Sequence, residues 1–398
     1  MVRAMSDRAD MIANRQVLLG MLAGVWPQDA ISSGDWPRIA AMARDQRLEP
    51  LLAWQAERGS WTLPDPLAQA WRTARRDATY AALSQQAALR LALARLGEAG
   101  IAAVALKGVA LAWRHYPEAA LRPMRDIDLL VAHDRAIEAS QVLAAAGFVP
   151  ETDDPATLRQ ALVDDHQLPA QFHPGLGVTI ELHHRLGDPP QRRGYRVPQI
   201  DPAAVMARAV VIECGGAMIP CPAPQDLAAH MIVHALYGHR LDCGPLVLAD
   251  LHFLAASGAI DWIALRREAE REGWARGADL LLALTERWFG KVAGVNFACP
   301  PPPVLAAAEA ALLLDPEARG HAQALSDIGA ARSPAALARA LLRRLVPDPQ
   351  VVAREGGGRS ALAFWPVWAV RRLARAIRRR GHASEARAAA EVMRWVQA

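Results

Sequence analysis

Two aspartates in RPMRDIDLLV, Asp126 and Asp128, stand one residue apart inside an apolar run. In an extended strand alternate side chains share a face, so both carboxylates point the same way. Like charges held side by side are costly unless something positive lies between them. A third acid follows in GVTIELHH, where Val178, Ile180 and Leu182 occupy one strand face and Glu181 the other, with Thr179 and His183. If the two strands pair, Asp126, Asp128 and Glu181 gather on one sheet face. Such oxygen donors suit magnesium, a hard cation that binds through a few carboxylates plus substrate phosphates. Carboxylate sites of this kind can hold two ions, which clamp the attacking and leaving oxygens of a phosphoryl transfer.

The residues just upstream fit the same chemistry. LKGVAL places Lys107 and Gly108 where a short apolar strand ends and a helix opens. Backbone N–H groups at a helix start donate to phosphate. A glycine lets the phosphate come close, and Lys107 adds charge. Of the 45 Lys+Arg residues only Lys107 and Lys291 are lysine, which singles out the first of them. Arg122 and Arg125, ahead of the aspartates, are expected either to hold phosphate or to neutralise the carboxylates. Among the histidines, His183 shares the carboxylate face and can orient substrate, while His184 is expected to pack or face solvent. His166, in DDHQLPAQFH, lies in a stretch that can approach the site. His230 and His234 are spaced for a helical zinc pair, with His239 and Asp250 beyond, but no HExxH pattern accompanies them. A packing or cleft-lining role is the reading for that group.

The elements that must position these residues are short. IAAVALKG (101–108), RDIDLLV (125–131) and GVTIELHH (177–184) read as strands, and VALAWRHY (109–116) and DRAIEASQVLAAAGF read as helices. The order β-α-β-α-β gives a small mixed α/β unit, with 150–176 irregular. Residues 1–100 and those from 216 onward carry apolar positions at helical spacing. The fold class expected is therefore α+β: a small mixed-sheet core at 101–215, an N-terminal helical region at 1–100 and a C-terminal helical region at 216–398.

With 52% hydrophobic and 22% charged residues, the chain has the balance of an ordinary globular protein. A net charge of +4 permits a polyanionic partner without requiring one. No stretch reaches the ~20 apolar residues of a membrane-spanning helix, and no signal-peptide cleavage site is evident. Cys214, Cys221, Cys243 and Cys299 form no metal-ligand spacing and read as thiols in a reducing cytoplasm. CPPPP (299–303) is a stiff break and REGGGRS (354–360) a flexible one. In the tail, Phe364, Trp365 and Trp368 precede Arg371, Arg372, Arg375, Arg378, Arg379 and Arg380. The preferred reading is a packed terminal helix with a solvated arginine face; the rival is weak contact with an anionic membrane surface.

The stretch from Leu106 to about Leu186, with the pattern LKG…YP…R…DIDLLV…GF…ELH, resembles the bacterial nucleotidyltransferase family proteins of the DNA polymerase β-type nucleotidyltransferase superfamily. PQDLAAHMIVHALYGH…LADL is similar more weakly. The resemblance implies a polymerase β-like core. It implies that Asp126, Asp128 and Glu181 are metal ligands and catalytic acids, Glu181 helping to activate the attacking hydroxyl. It matches Gly108 to the glycine of the phosphate loop, with Lys107-Gly108 in place of the more usual Gly-Ser. The activity implied is magnesium-dependent transfer of a nucleoside monophosphate from a nucleoside triphosphate to an acceptor, which could be a small molecule, a peptide, a protein or RNA. The alternative is a non-catalytic nucleotide- or partner-binding module that keeps the fold, favoured by the loss of Gly-Ser. An RNA-binding helical protein is a third reading, with only the basic tail behind it.

Overall fold

A computed structural model of the chain describes residues 2–27, 31–32, 34–189, 197–294, 297–314, 334, 365–368, 370 and 383–398. Four helices precede the sheet: α1 (Val2–Leu22), α2 (Trp36–Asp45), α3 (Glu49–Arg58) and the 34-residue α4 (Asp65–Glu98). Leu67, Trp71, Ala88, Leu89, Ala92 and Leu96 form the buried stripe of α4, at the three- and four-residue spacing of an amphipathic helix. Gln85 on that helix is buried as well, and its side-chain amide donates to the Met124 carbonyl at 2.9 Å. The long helix thus holds the segment that leads into the aspartates.

Next come β1 (Ala103–Ala105), the one-turn α5 (Gly108–Ala110), β2 (Asp126–Val131), α6 (Ala136–Ala145), β3 (Val149–Pro150), α7 (Pro155–Asp164), β4 (Gln171–His173) and β5 (Val178–His183). The helix expected over 109–116 is regular only at its start, because Leu111–His115 widens into a π-turn after α5. The strands form one mixed sheet in the order β1-β2-β5-β4-β3. β2 runs antiparallel to β1 and parallel to β5, and β4 pairs antiparallel with both β5 and β3. Ile127, Leu129, Leu130, Val131, Ile180 and Leu182 are buried, as central strands require. The stretch 150–176, expected to be irregular, contains α7 and β4, which joins β5 to the edge strand β3.

After α8 (Pro202–Ala207), a two-stranded hairpin, β6 (Val210–Cys214) and β7 (Ala217–Cys221), turns through Gly215 and Gly216. Both glycines have positive φ, 55° and 77°, as a tight primed hairpin turn demands. The rest of the described chain is helical: α9 (Pro224–Val233), continued by a π-turn at His234–Gly238, α10 (Leu246–Ala255), α11 (Trp262–Glu272), α12 (Ala275–Phe289), α13 (Pro302–Leu312) and α14 (Ala383–Gln397). No described helix is long and apolar enough to cross a membrane. The REGGGRS stretch, Phe364 and Arg371–Arg380 lie outside the described residues. Of the tail aromatics that are described, Trp368 is buried and Trp365 is exposed.

Candidate active site

The parallel pairing of β2 with β5 sets Asp126 opposite Thr179 and Asp128 opposite Glu181. The period-2 alternation then puts all three acids and His183 on one face. That face opens on a cavity of about 710 Å³. Asp126, Asp128 and Glu181 line it, together with Lys107, Gly108, Arg122 and Arg125. Residues from both helical regions complete the walls, among them Arg47, His230 and Asp250.

The three carboxylates differ in their surroundings. Asp128 is buried, and its Oδ1 receives Lys107 Nζ at 3.1 Å and His183 Nε2 at 2.7 Å. Burial alone would raise its pKa, but the Lys107 ammonium and the His183 hydrogen bond hold it well below the usual carboxylate range. Lys107 reaches this position through a backbone with φ 40° and ψ −108°, a strained conformation for a residue with a side chain. Asp126 is half-buried, and burial followed by the Asp128 charge raises its pKa. Glu181 is raised in the same way, by burial and then by Asp126 and Asp128. His183 is pushed down to about 4, chiefly by burial and then by Lys107, so its ring is neutral near pH 7. With the Nε2 proton directed at Asp128, the buried Nδ1 is left without a hydrogen-bond partner.

Arg122 is engaged elsewhere than the sequence suggested. Its guanidinium binds Asp250 of α10 through Nε at 2.7 Å and Nη2 at 2.8 Å, and the Tyr116 hydroxyl donates to the same carboxylate at 2.7 Å. Its Nη1 lies against Gly108, where an added Cβ would come within 2.6 Å of both Arg122 Nη1 and Met124 Sδ. Gly108 is therefore a glycine because the arginine and methionine pack on it. Arg125 stands exposed on the rim.

Two groups among the described residues bring three possible ligand atoms within 4.8 Å of one another: Asp128, Glu181 and His183, and Asp165, His166 and Asp188. Asp126 shares the strand face but stands outside the first group. In the second, His166 Nδ1 lies 2.9 Å from Asp188 Oδ1 and 3.0 Å from Asp165 Oδ1. Its ring lies 5.2 Å from that of His183, tilted by 43°, so the loop histidine does reach the site. Burial lowers the His166 pKa, but the two carboxylates outweigh it and the net direction is upward. His184 is buried and meets His133, Nδ1 to Nδ1, at 3.0 Å. The His230, His234 and His239 rings follow one another at 5.6 and 4.3 Å, yet form no three-ligand group among the described residues. They line the cavity, and burial keeps His230 and His234 neutral.

Arg47, Asp165 and Asp188 are among the cavity residues that sequence reasoning passed over. DDH and the GDPP that follows β5 carried a signal, acids on both sides of a histidine. Arg47 carried none, because RDQRLEP is an ordinary surface pattern in an arginine-rich chain.

The family described as "Uncharacterised nucleotidyltransferase" has a model that matches residues 32–290, from just before α2 to the end of α12. No curated protein and no solved structure matches. The family match takes in every residue of the cavity and well over half of the chain, which places this protein in the uncharacterised nucleotidyltransferase family.

Proposed function

We propose that the chain is a magnesium-dependent nucleotidyltransferase with a polymerase β-like core, moving a nucleoside monophosphate from a nucleoside triphosphate to an acceptor hydroxyl. The observation that carries this reading is the β2–β5 register, which sets Glu181 beside Asp128, with Asp126 on the same face of one cavity. The donor set fits the ion. Lys107 and His183 take Asp128 Oδ1, and the acids that line the cavity offer further carboxylate oxygens, from Asp126, Asp128 and Glu181. Magnesium prefers such oxygens and, when bound, offsets the charge that develops on the phosphate.

Each of the chain's own groups then has a task. Glu181, its pKa raised by burial and its neighbours, accepts the proton of the acceptor hydroxyl. The acceptor oxygen bonds to the α-phosphorus, the α–β anhydride bond breaks, and pyrophosphate leaves with the electron pair. Lys107 and His183 hold Asp128 ionised and fixed in place.

The test is pyrophosphate release with each of the four ribonucleoside triphosphates, with and without magnesium. Asp128→Asn is expected to abolish it, and Glu181→Gln to slow it by about 10²–10⁴-fold. Unchanged release in a folded Asp128→Asn protein would sink the reading. A non-catalytic nucleotide- or partner-binding module is the second reading. It is favoured by Lys107, whose ammonium already supplies Asp128 with a counter-charge. Magnesium-independent nucleotide binding without any pyrophosphate release would establish it.

A further inference from the structure

The turn between α2 and α3 brings Arg47 into the cavity from far upstream of the carboxylates. The turn is tightly fixed. Arg47 has φ 57°, its N–H donates to the Arg44 carbonyl at 2.9 Å, and the Leu48 N–H donates to the Ala43 carbonyl at 2.8 Å. The buried Gln46 beside it presses its amide oxygen into the space that a side chain at Gly244 would need. Left-handed backbone at a residue with a side chain is strain that the surrounding structure must hold in place.

The side chain on this strained turn is not balanced. Arg47 Nε is buried and has no hydrogen-bond partner. The charges that act on the guanidinium are mixed: Arg125 and Arg122 share its sign, and Asp126 and Asp250 oppose it. Burial first, and then these two arginines, bring its pKa down to about 10, still protonated near neutral pH. Arg122 shows the contrast: Asp250 satisfies it with two hydrogen bonds. A buried N–H donor left without an acceptor is a cost to the folded state, and an anion that accepts from it removes that cost.

We propose that Arg47, with Arg125 beside it, binds the terminal phosphates of the nucleoside triphosphate and the pyrophosphate that leaves. This rests on the nucleotidyl-transfer reading for the identity of the anion, though not for the anion site itself. Position selects the phosphate tail over the acceptor. Lys107, Arg47 and Arg125 all act on Asp126, at one end of the carboxylate row, whereas of these three cations Lys107 alone is a leading influence on Asp128 and Glu181. The substrate end with the most negative charge belongs beside the arginines. The acceptor is left the side of His183 and His166, whose rings lie 5.2 Å apart.

The test uses Arg47→Met and Arg47→Lys in the full chain, with sodium tripolyphosphate and pyrophosphate as probes, by titration calorimetry with and without magnesium. Arg47→Met is expected to weaken tripolyphosphate binding about tenfold or more, the loss of one charge-assisted contact. Arg47→Lys should recover part of it. The melting temperature of the ligand-free Arg47→Met protein should change little, because the buried Nε donor that is lost makes no hydrogen bond. A merely structural arginine would lower it. Equal tripolyphosphate affinity in wild type and Arg47→Met, or no binding by the wild type in either condition, overturns the proposal. So does a loss of affinity that comes with a matching fall in melting temperature. The two readings fail separately. Arg47-dependent tripolyphosphate binding without pyrophosphate release from any triphosphate would leave the anion site and remove the transferase. Pyrophosphate release by Arg47→Met at the wild-type KM for the triphosphate would do the reverse.

Discussion

At the scale of single residues, Lys107 joins a backbone cost to an electrostatic gain. Its φ of 40° is strained, yet it places the ammonium 3.1 Å from a buried carboxylate. Lys107→Met keeps the strain and removes the ion pair. Breaking such a pair from one side costs about 3–5 kcal/mol when both partners are buried, and Lys107 is only partly so, which favours the lower end. Urea denaturation should show that loss, and magnesium should restore more stability to the variant than to the wild type. Gly108→Ala tests a different physical cause. The new methyl would meet Arg122 and Met124 at 2.6 Å, and overpacking of this kind costs about 1–3 kcal/mol. A Gly108→Ala protein as stable as the wild type would mean that the Arg122 side chain moves freely. The shared face of Asp126, Asp128 and Glu181 was legible because strand alternation is a strict rule of period 2. The partner of Arg122 was not, since nothing in the local sequence points from residue 122 to residue 250.

At the scale of elements, β1, β2 and β5 were readable as apolar runs, each trimmed by a residue or more at its ends. β3 and β4 escaped because two or three residues are too few to show a period. The β6–β7 hairpin did carry a signal, Gly-Gly between alternating residues, which was not used. The π-turns at Leu111–His115 and His234–Gly238 have no sequence signature in their apolar pattern, although both border the cavity. The link between helical region and sheet is the Asp250 carboxylate on α10, which accepts from both Arg122 and Tyr116. Asp250→Ala strands a buried guanidinium, at a cost of about 3–5 kcal/mol. Tyr116→Phe removes one hydrogen bond of the same network and should cost about 1.5–3 kcal/mol, since the acceptor is charged. Chemical denaturation of the two variants should rank them in that order, and the reverse order would show that the tyrosine carries the link.

At the scale of the molecule, the cavity draws its walls from both helical regions as well as from the sheet. Several buried histidines also tie its stability to pH. Burial pushes His115 down to about 4 and His184 to about 3, and drives His230 and His234 well below the ordinary value. Below pH ~6.5 the unfolded chain takes up protons that the folded one refuses, so stability is present above that pH and is lost as the pH falls. Each fully buried histidine steepens the loss by up to about 1.4 kcal/mol per pH unit. Thermal melts between pH 8 and 5 should show a falling midpoint well above the carboxylate range. A flat profile would mean that these rings are protonated in the native state.

Arg47 and Asp250, two walls of one cavity, lie 203 positions apart in the chain. Such distant contacts form late, since closing a long loop costs entropy before it returns any. Chain emerging from the ribosome would therefore present the carboxylate strands well before the helix that anchors Arg122. A nascent or partly unfolded molecule would hold three acids on an open sheet with one wall missing. A closed cavity would then arrive last, as a property of the finished molecule, and pulsed hydrogen exchange during refolding should find the amides of 246–255 protected no earlier than those of 126–131.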